Sequence, residues 1–218
     1  MKNSAMAVAV AAISLVGIAT PSAAAVSLSA YTVTGPFAHA SPTYTFSPGS
    51  TPSYSGGMIT TGSLSGVSAA PVGGSGEYFT VGGTGAPSPA LITLSGFGAI
   101  GSISLLLGSV DSYNTISFGN VVDGMFQALS SYTGTQIYTA ANGNQGISSY
   151  ATFTFTGADQ LFNALQITST SPAAELDDLT INSAVPEPGT WAMMLLGFAG
   201  IGYSMRRRPA NRRRLQAV

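Results

Sequence analysis

Four acidic residues are the side chains of this sequence best suited to chemistry. Asp111 begins the segment Asp-Ser-Tyr-Asn, while Glu175, Asp177 and Asp178 share the segment Ala-Glu-Leu-Asp-Asp-Leu. Carboxylates, together with Asn side chains and backbone carbonyls, are the ligands that Ca²⁺ prefers. One hypothesis is therefore a structural calcium ion held by these four residues. The alternative is that they are solvated acids at turns and strand ends, or carboxylates that accept hydrogen bonds from backbone N–H groups.

The spacing of these acids limits what they can do together. Neighbouring strand residues point to opposite faces, so Asp177 and Asp178 can serve one site only if the strand is bulged. A hydrolase would need two carboxyl groups about 5–10 Å apart in a cleft. If Asp111, Asp123, Glu175 and Asp177 are scattered in the fold, that hypothesis falls.

The basic residues lie only near the chain ends. Lys2 is the single lysine, all arginines follow residue 205, and none lies between Val26 and Ala184. The same span holds seven acidic residues: Glu77, Asp111, Asp123, Asp159, Glu175, Asp177 and Asp178. Internal ion pairs with Lys or Arg are thus impossible in this span. Nucleic acid is excluded as a partner, because nothing there neutralises phosphates.

Other catalytic patterns are weak, and we expect no enzyme. The chain has no cysteine, and its single histidine, His39, lies in a Pro- and Ser-rich segment. Gly96 to Gly101 fits the letters of a dinucleotide fingerprint, but a strand-like Ser-Ile-Ser-Leu-Leu-Leu follows where a helix is required. We predict no cofactor apart from the possible structural calcium.

Tyrosines are the residues most able to contact sugar rings. The only tryptophan, Trp191, lies close to the C-terminus. The candidates for a stacking surface are Tyr31, Tyr44, Tyr54, Tyr78, Tyr113, Tyr132, Tyr138 and Tyr150. Burial in the core or at its rim is the alternative for most of them.

Short β-rich runs separated by Gly, Pro, Ser and Asn position these residues. We predict strands at Leu28–Val33, Glu77–Val81, Leu91–Leu94, Ile103–Leu107, Thr115–Phe118, Gln136–Thr139, Tyr150–Phe155, Leu165–Thr168 and Leu179–Ile181. The clearest alternation puts Ala151, Phe153 and Phe155 on one face. Residues 40–57 are predicted as an irregular loop, with a helical pattern only around 159–164. The fold class is all-β, an antiparallel β-sandwich of the jelly-roll kind.

The N-terminus has the order of a secretory signal peptide. One lysine precedes an apolar run over residues 5–19, followed by Thr-Pro-Ser-Ala-Ala-Ala. This order indicates export, with cleavage between Ala25 and Val26. Ser22-x-Ala24 is a competing cleavage site.

The C-terminus combines a rigid turn, an apolar helix and a basic stop. Pro186, Glu187 and Pro188 precede a run over residues 191–205 that contains no charge. At about 1.5 Å per residue that run is about 22 Å long, short against a hydrocarbon core of about 30 Å. We predict a short transmembrane helix here, with Arg206, Arg207 and Arg208 held in the cytoplasm.

These C-terminal residues resemble the PEP-CTERM sorting signal of exosortase-dependent surface proteins. The resemblance rests on Pro186-Glu187-Pro188, on the Trp-Ala-Met-Met-Leu-Leu-Gly-Phe run and on the arginine cluster, in that order. It implies that exosortase is a partner that recognises Pro-Glu-Pro and removes the tail, and that the precursor is transiently in the inner membrane. One departure is the extension over residues 209–218, beyond the usual end of such a signal.

Motifs in the body of the chain also resemble a family of exosortase-dependent surface proteins, which implies no ligand. They include Gly-Ser-Leu-Ser-Gly-Val-Ser from Gly62, Gly-Ser-Val-Asp-Ser-Tyr-Asn from Gly108 and Ala-Asn-Gly-Asn-Gln from Ala141. We therefore predict a signal peptide (1–25), a β-sandwich ectodomain (26–184), a sorting signal (185–208) and a basic cytoplasmic tail (209–218).

The expected function is that of a non-enzymatic protein of the cell surface or extracellular matrix. The resemblance implies processing by exosortase and association with exopolysaccharide or a biofilm. The alternative is a specific carbohydrate-binding module, with or without a structural calcium ion.

Overall fold

The computed structural model describes residues 25–37, 41–74, 76–185 and 188–206. They belong to two units, an all-β domain and a C-terminal helix. The strands are β1 Ala25–Val33, β2 Ser53–Ser55, β3 Met58–Thr61, β4 Glu77–Val81, β5 Ala90–Thr93, β6 Ile100–Gly108, β7 Asn114–Val122, β8 Met125–Thr133, β9 Ser148–Thr156, β10 Ala164–Ser169 and β11 Ala174–Ser183. The helices are α1 Gly134–Ile137 and α2 Pro188–Arg206, and a 3₁₀ turn spans Gly157–Gln160.

The eleven strands form two antiparallel sheets. The six-stranded sheet has the order β1-β9-β6-β11-β4-β3, and the five-stranded sheet has the order β2-β5-β10-β7-β8. Strands pair as nested hairpins, β4 with β11, β5 with β10, β6 with β9 and β7 with β8. This nesting across two sheets is the jelly-roll arrangement. The predicted all-β sandwich is confirmed.

The core lies between the sheets and is rich in aromatic residues. Phe118 on β7 is completely buried, and its ring centroid lies 4.8 Å from that of Phe153 and 4.9 Å from that of Phe155 on β9. Along β9, Ala151, Phe153 and Phe155 are buried while Thr154 is exposed. The predicted alternation is therefore confirmed. The buried face that it gives β9 packs against β7 of the other sheet.

Three local predictions need correction. Gln136–Thr139 is not a strand, because Thr133 and Gln136 begin the short helix α1 and the backbone N–H of Thr133 donates to Gln136 Oε1 at 2.8 Å. Residues 40–57 contain the short strand β2, and the helical pattern near 159–164 is only the 3₁₀ turn. Strand β8 was not predicted, because it is an edge strand that exposes Met125 and Leu129.

The C-terminal helix α2 begins at Pro188 and ends at Arg206. The predicted helix over 191–205 is thus present. Within the described part of the chain, however, no helix combines the length and the apolar character needed to cross a membrane. The transmembrane placement of α2 stays a prediction.

Several predicted features lie outside the described residues. They are His39, Pro186, Glu187, Arg207, Arg208, residues 1–24 and the tail 209–218. Of the predicted cleavage site, Ala25 is the first residue of β1 and Val26 the second.

Candidate functional site: an acidic pocket at one end of the sandwich

Glu175 lies at the bottom of a pocket beside β11. Its neighbours along the strand, Ala174 and Leu176, pack into the core, so Glu175 points to the outer face of the six-stranded sheet. Only 2% of Glu175 is exposed. Its Oε1 accepts a hydrogen bond from the backbone N–H of Ala69 at 2.9 Å, and its Oε2 accepts one from Ser109 Oγ at 2.7 Å.

Burial changes the acidity of Glu175. Its pKa is raised to about 7, first because burial disfavours the charged form; the hydrogen bonds from Ala69 and Ser109 offset part of this, and the nearby charge of Asp111 adds to it. Both protonated and charged Glu175 are therefore present near neutral pH.

Asp111 lies on the wall of the same pocket, in the turn between β6 and β7. The single O–H of Tyr113 donates a hydrogen bond shared between Asp111 Oδ2 at 2.7 Å and the carbonyl of Pro172 at 3.0 Å. The pKa of Tyr113 is raised, first by burial and then by Asp111, so the phenol stays protonated as a donor. Gly143 leaves room for the carboxylate, since a Cβ there would lie 2.6 Å from Asp111 Oδ1.

The cavity between these residues has a volume of about 250 Å³. It opens where β6 ends and β7, β9 and β11 begin. Its lining comes from four segments: Leu64, Gly66, Val67, Ser68, Ala69; Ser109, Asp111, Tyr113; Asn142, Gly143, Gln145; and Pro172, Ala173, Glu175. Hydroxyl, amide and carboxylate groups are therefore brought together from distant parts of the sequence.

Asp177 and Asp178 lie elsewhere, at a β-bulge in β11. The register between β11 and β6 shifts between Asp177 and Thr180, and Asp178 has a φ of +49°. The backbone N–H of Asp178 donates to Asp177 Oδ1 at 2.8 Å. The pKa of Asp178 is raised to about 6, first by burial and then by the charge of Asp177. Asp177 and Asp178 could serve one site only if their strand is bulged, and this bulge is present.

A second cavity, of about 190 Å³, adjoins Asp177. Gly62, Ala70, Pro71, Gly74, Gly76 and Tyr78 complete its lining. Gly74 packs directly on the acid, since a Cβ there would lie 2.7 Å from Asp177 Oδ2. Asp177 thus lines a different cavity from Asp111 and Glu175.

The predicted calcium site therefore does not form as one cluster. The structure brings Asp111 and Glu175 into one pocket and places Asp177 and Asp178 at the bulge. Among the described residues, no three acidic, histidine or cysteine side chains are grouped so that they could hold a metal ion. Strand alternation puts Glu175 and Asp177 on the same face of β11, yet the two acids line different cavities.

The tyrosines do not form one stacking surface. Tyr78 and Tyr150 are buried, whereas Tyr31 and Tyr54 are largely exposed and lie on different sheets. Tyr113 is the tyrosine that lines the acidic pocket. Most of the predicted stacking residues are thus core or rim residues.

Sequence reasoning missed the pocket partners of the two acids. Ser109 and the backbone of Ala69 hold Glu175, and Asn142 and Gln145 face the opening. The Ala-Asn-Gly-Asn-Gln segment was notable in the sequence only for its family resemblance, and its proximity to Asp111 depends on a long-range backbone bridge between Asp111 and Asn142. The Gly96–Gly101 segment runs from the loop after β5 into the start of β6. Because a strand stands where the dinucleotide fingerprint requires a helix, the segment does not form that binding turn.

The fold and the pocket define an antiparallel β-sandwich with an acidic cleft at one end. The family model of the PEP-CTERM protein-sorting motif matches residues 184–208. The chain therefore carries the PEP-CTERM sorting motif of exosortase-dependent exported proteins, as its C-terminal residues predicted. Within that match, Pro188 begins α2 and Arg206 ends it.

The chain is similar to a solved carbohydrate-binding structure. It is the carbohydrate binding module CBM6cm-2 from Cellvibrio mixtus lichenase 5A in complex with cellotriose, 13% identical, covering 61% of this chain and 91% of that chain, with a TM-score of 0.34. Curated proteins give no significant match.

Proposed function

We propose that this protein is a non-enzymatic component of the cell surface or extracellular matrix, which binds exopolysaccharide after exosortase has processed it. The observation that carries the proposal is that one chain holds both the sorting motif at residues 184–208 and a β-sandwich with a polar pocket. The motif supports export and transient anchoring of the precursor in the inner membrane. The pocket supports a binding role for the exported domain.

The arrangement of the two pocket acids favours binding over hydrolysis. The hydrolase hypothesis needs two carboxyl groups in one cleft, and Asp111 and Glu175 do share this pocket. Glycoside hydrolysis needs one carboxyl group to protonate the leaving oxygen and a second to act as base or nucleophile. Glu175 is buried, and both of its oxygens already accept hydrogen bonds from Ala69 and Ser109. It is therefore better placed to hold the pocket together than to reach a glycosidic bond.

The proposal is tested by locating the mature protein in its host. In cells that make exopolysaccharide, we expect it in the matrix fraction; in a strain unable to make the polysaccharide, we expect it in the medium. An equal distribution in both strains would contradict matrix binding. Turnover of the purified polysaccharide by the protein would show that the non-enzymatic assignment is wrong.

A specific carbohydrate-binding module is the second candidate. The cavity of about 250 Å³, lined by Asp111, Tyr113, Asn142 and Gln145, favours it. Saturable binding of one defined oligosaccharide would support this candidate, whereas unsaturable, weak association with many polymers would support a bulk matrix role.

A further inference from the structure

We propose that the pocket between Asp111 and Glu175 binds one sugar unit of the polysaccharide and selects units that carry no negative charge. This inference rests on the proposed function, since it assigns the site and the charge class of the ligand.

The opening of the pocket offers hydrogen-bonding groups that are not used within the fold. No hydrogen bond from a described residue reaches Asp111 Oδ1, whereas Oδ2 accepts one from Tyr113. The exposed side chains of Asn142 and Gln145 make no hydrogen bond to the described part of the chain. A carboxylate accepts hydrogen bonds from hydroxyl or ammonium groups, and each amide both donates and accepts. Together these groups match the alternating donors and acceptors of a sugar ring.

The size of the cavity limits how much of a polymer can enter. Pockets for drug-sized ligands are about 300–1,000 Å³, and this cavity is somewhat smaller, at about 250 Å³. A single sugar unit, at a chain end or branch, is therefore the part of the polymer that fits. The buried hydrogen bonds from Ala69 and Ser109 to Glu175 fix the floor against which it would rest.

Charge excludes one class of sugars. Asp111 and Glu175 face the cavity, and the sequence from Val26 to Ala184 contains no Lys or Arg. A uronate or sulfated sugar would bring a further negative charge beside Asp111 and the partly ionised Glu175, with no Lys or Arg between Val26 and Ala184 to balance it. Neutral sugars avoid this repulsion, and amine-bearing sugars gain attraction to Asp111.

The test is calorimetric titration of the mature protein, purified from its host, with three sets of oligosaccharides: neutral, glucosamine-bearing and glucuronate-bearing. We expect saturable binding of at least one neutral or glucosamine-bearing compound and none of the glucuronate-bearing ones. Stronger binding of a glucuronate compound, or no saturable binding in any set, would overturn the inference. Binding of Ca²⁺ alone, with no sugar bound in its presence or absence, would also overturn it.

Matched variants assign the binding to the pocket. Asp111→Asn should weaken binding about tenfold or more and Gln145→Ala about two- to tenfold, as expected when a hydrogen bond to a charged group and one to a neutral group are lost. The controls are Asp123→Asn, in the exposed β7–β8 turn, and Gln127→Ala, on the exposed face of β8, which should leave affinity unchanged. Equal weakening by a variant and its control would overturn the assignment. Since Gln145 is exposed, Gln145→Ala decides the matter if Asp111→Asn does not fold.

Failure of this inference can be told apart from failure of the proposed function. A protein that stays in the matrix fraction while binding none of the oligosaccharides keeps its matrix role and loses the pocket assignment. A protein that binds sugar but distributes equally with and without the polysaccharide loses the matrix role instead.

Discussion

At the residue scale, buried acids without basic partners are the main feature of the sandwich. Glu175 and Asp178 are almost fully buried, and their pKa values are raised to about 7 and about 6. Hydrogen bonds from Ala69 and Ser109 stabilise Glu175, and no Lys or Arg lies between Val26 and Ala184 to neutralise it. The folded state therefore holds protons on these groups that the unfolded chain releases at lower pH.

The first prediction concerns the pH dependence of stability. The pKa of Glu175 is 4.5 in its ordinary state and about 7 in the fold. Between these values the folded state binds more protons than the unfolded state, so its free energy of unfolding falls as pH rises through this window. Glu175→Gln removes this contribution, and we expect the melting temperature of the variant to fall less between pH 5 and pH 8, as followed by circular dichroism.

The control for this experiment is Glu77→Gln, on β4. It should keep the pH dependence of the natural protein, in which Asp178 also contributes. A Glu175→Gln variant that loses as much stability between the two pH values as the natural protein would contradict the role given to burial.

At the element scale, the contact between the two sheets depends on aromatic residues. Phe118 on β7 packs against Phe153 and Phe155 on β9, and its centroid lies 5.5 Å from that of Phe162. Phe118→Ala should lower the free energy of unfolding by about 3–5 kcal/mol, because it removes apolar contacts and leaves a cavity. Urea unfolding measures this value.

A matched exposed position shows whether the loss comes from the core. Leu129 on the edge strand β8 is 51% exposed, and Leu129→Ala should change stability by no more than about 0.5 kcal/mol. Similar losses in the two variants would mean that β7 and β9 do not form the central contact of the sandwich.

At the scale of the whole molecule, the β-domain carries a one-sided charge. Seven acidic residues and no Lys or Arg lie between Val26 and Ala184. Their repulsion opposes the compact state and is screened by salt, since the Debye length falls from about 30 Å at 0.01 M to about 10 Å at 0.1 M. We expect the melting temperature of the mature protein to rise over that range of sodium chloride concentration. A falling melting temperature would indicate stabilising ion pairs that this composition does not allow.

The sequence predicted the fold class better than the pocket. Alternation in β9 is a local signal, and it placed Phe153 and Phe155 in the core correctly. Strand β8 gave no such signal, because an edge strand exposes apolar side chains such as Met125. The Thr133-x-x-Gln136 capping pattern was present in the sequence, and it explains why a helix replaces the predicted strand.

The pocket could be predicted only in part, because its residues meet through long-range pairing. Asp111 and Glu175 were identified by their chemistry, yet which acids share a site depends on how β11 pairs with β6. The sequence showed that a bulge is needed if Asp177 and Asp178 are to serve one site. Whether the bulge forms depends on the register between β11 and β6, which are distant in the sequence. The contacts of Ser109 and Ala69 with Glu175 had no sequence signal at all.

The most direct test of this account is the intact mass of the protein from its host, with and without exosortase. The sorting motif at residues 184–208 predicts that the mature protein loses its C-terminal tail near Pro186 to Pro188 only when exosortase is present. Without exosortase, we expect the tail to remain and the protein to stay in the inner-membrane fraction. An uncleaved tail in both strains, or the same cleavage in both, would contradict exosortase-dependent sorting.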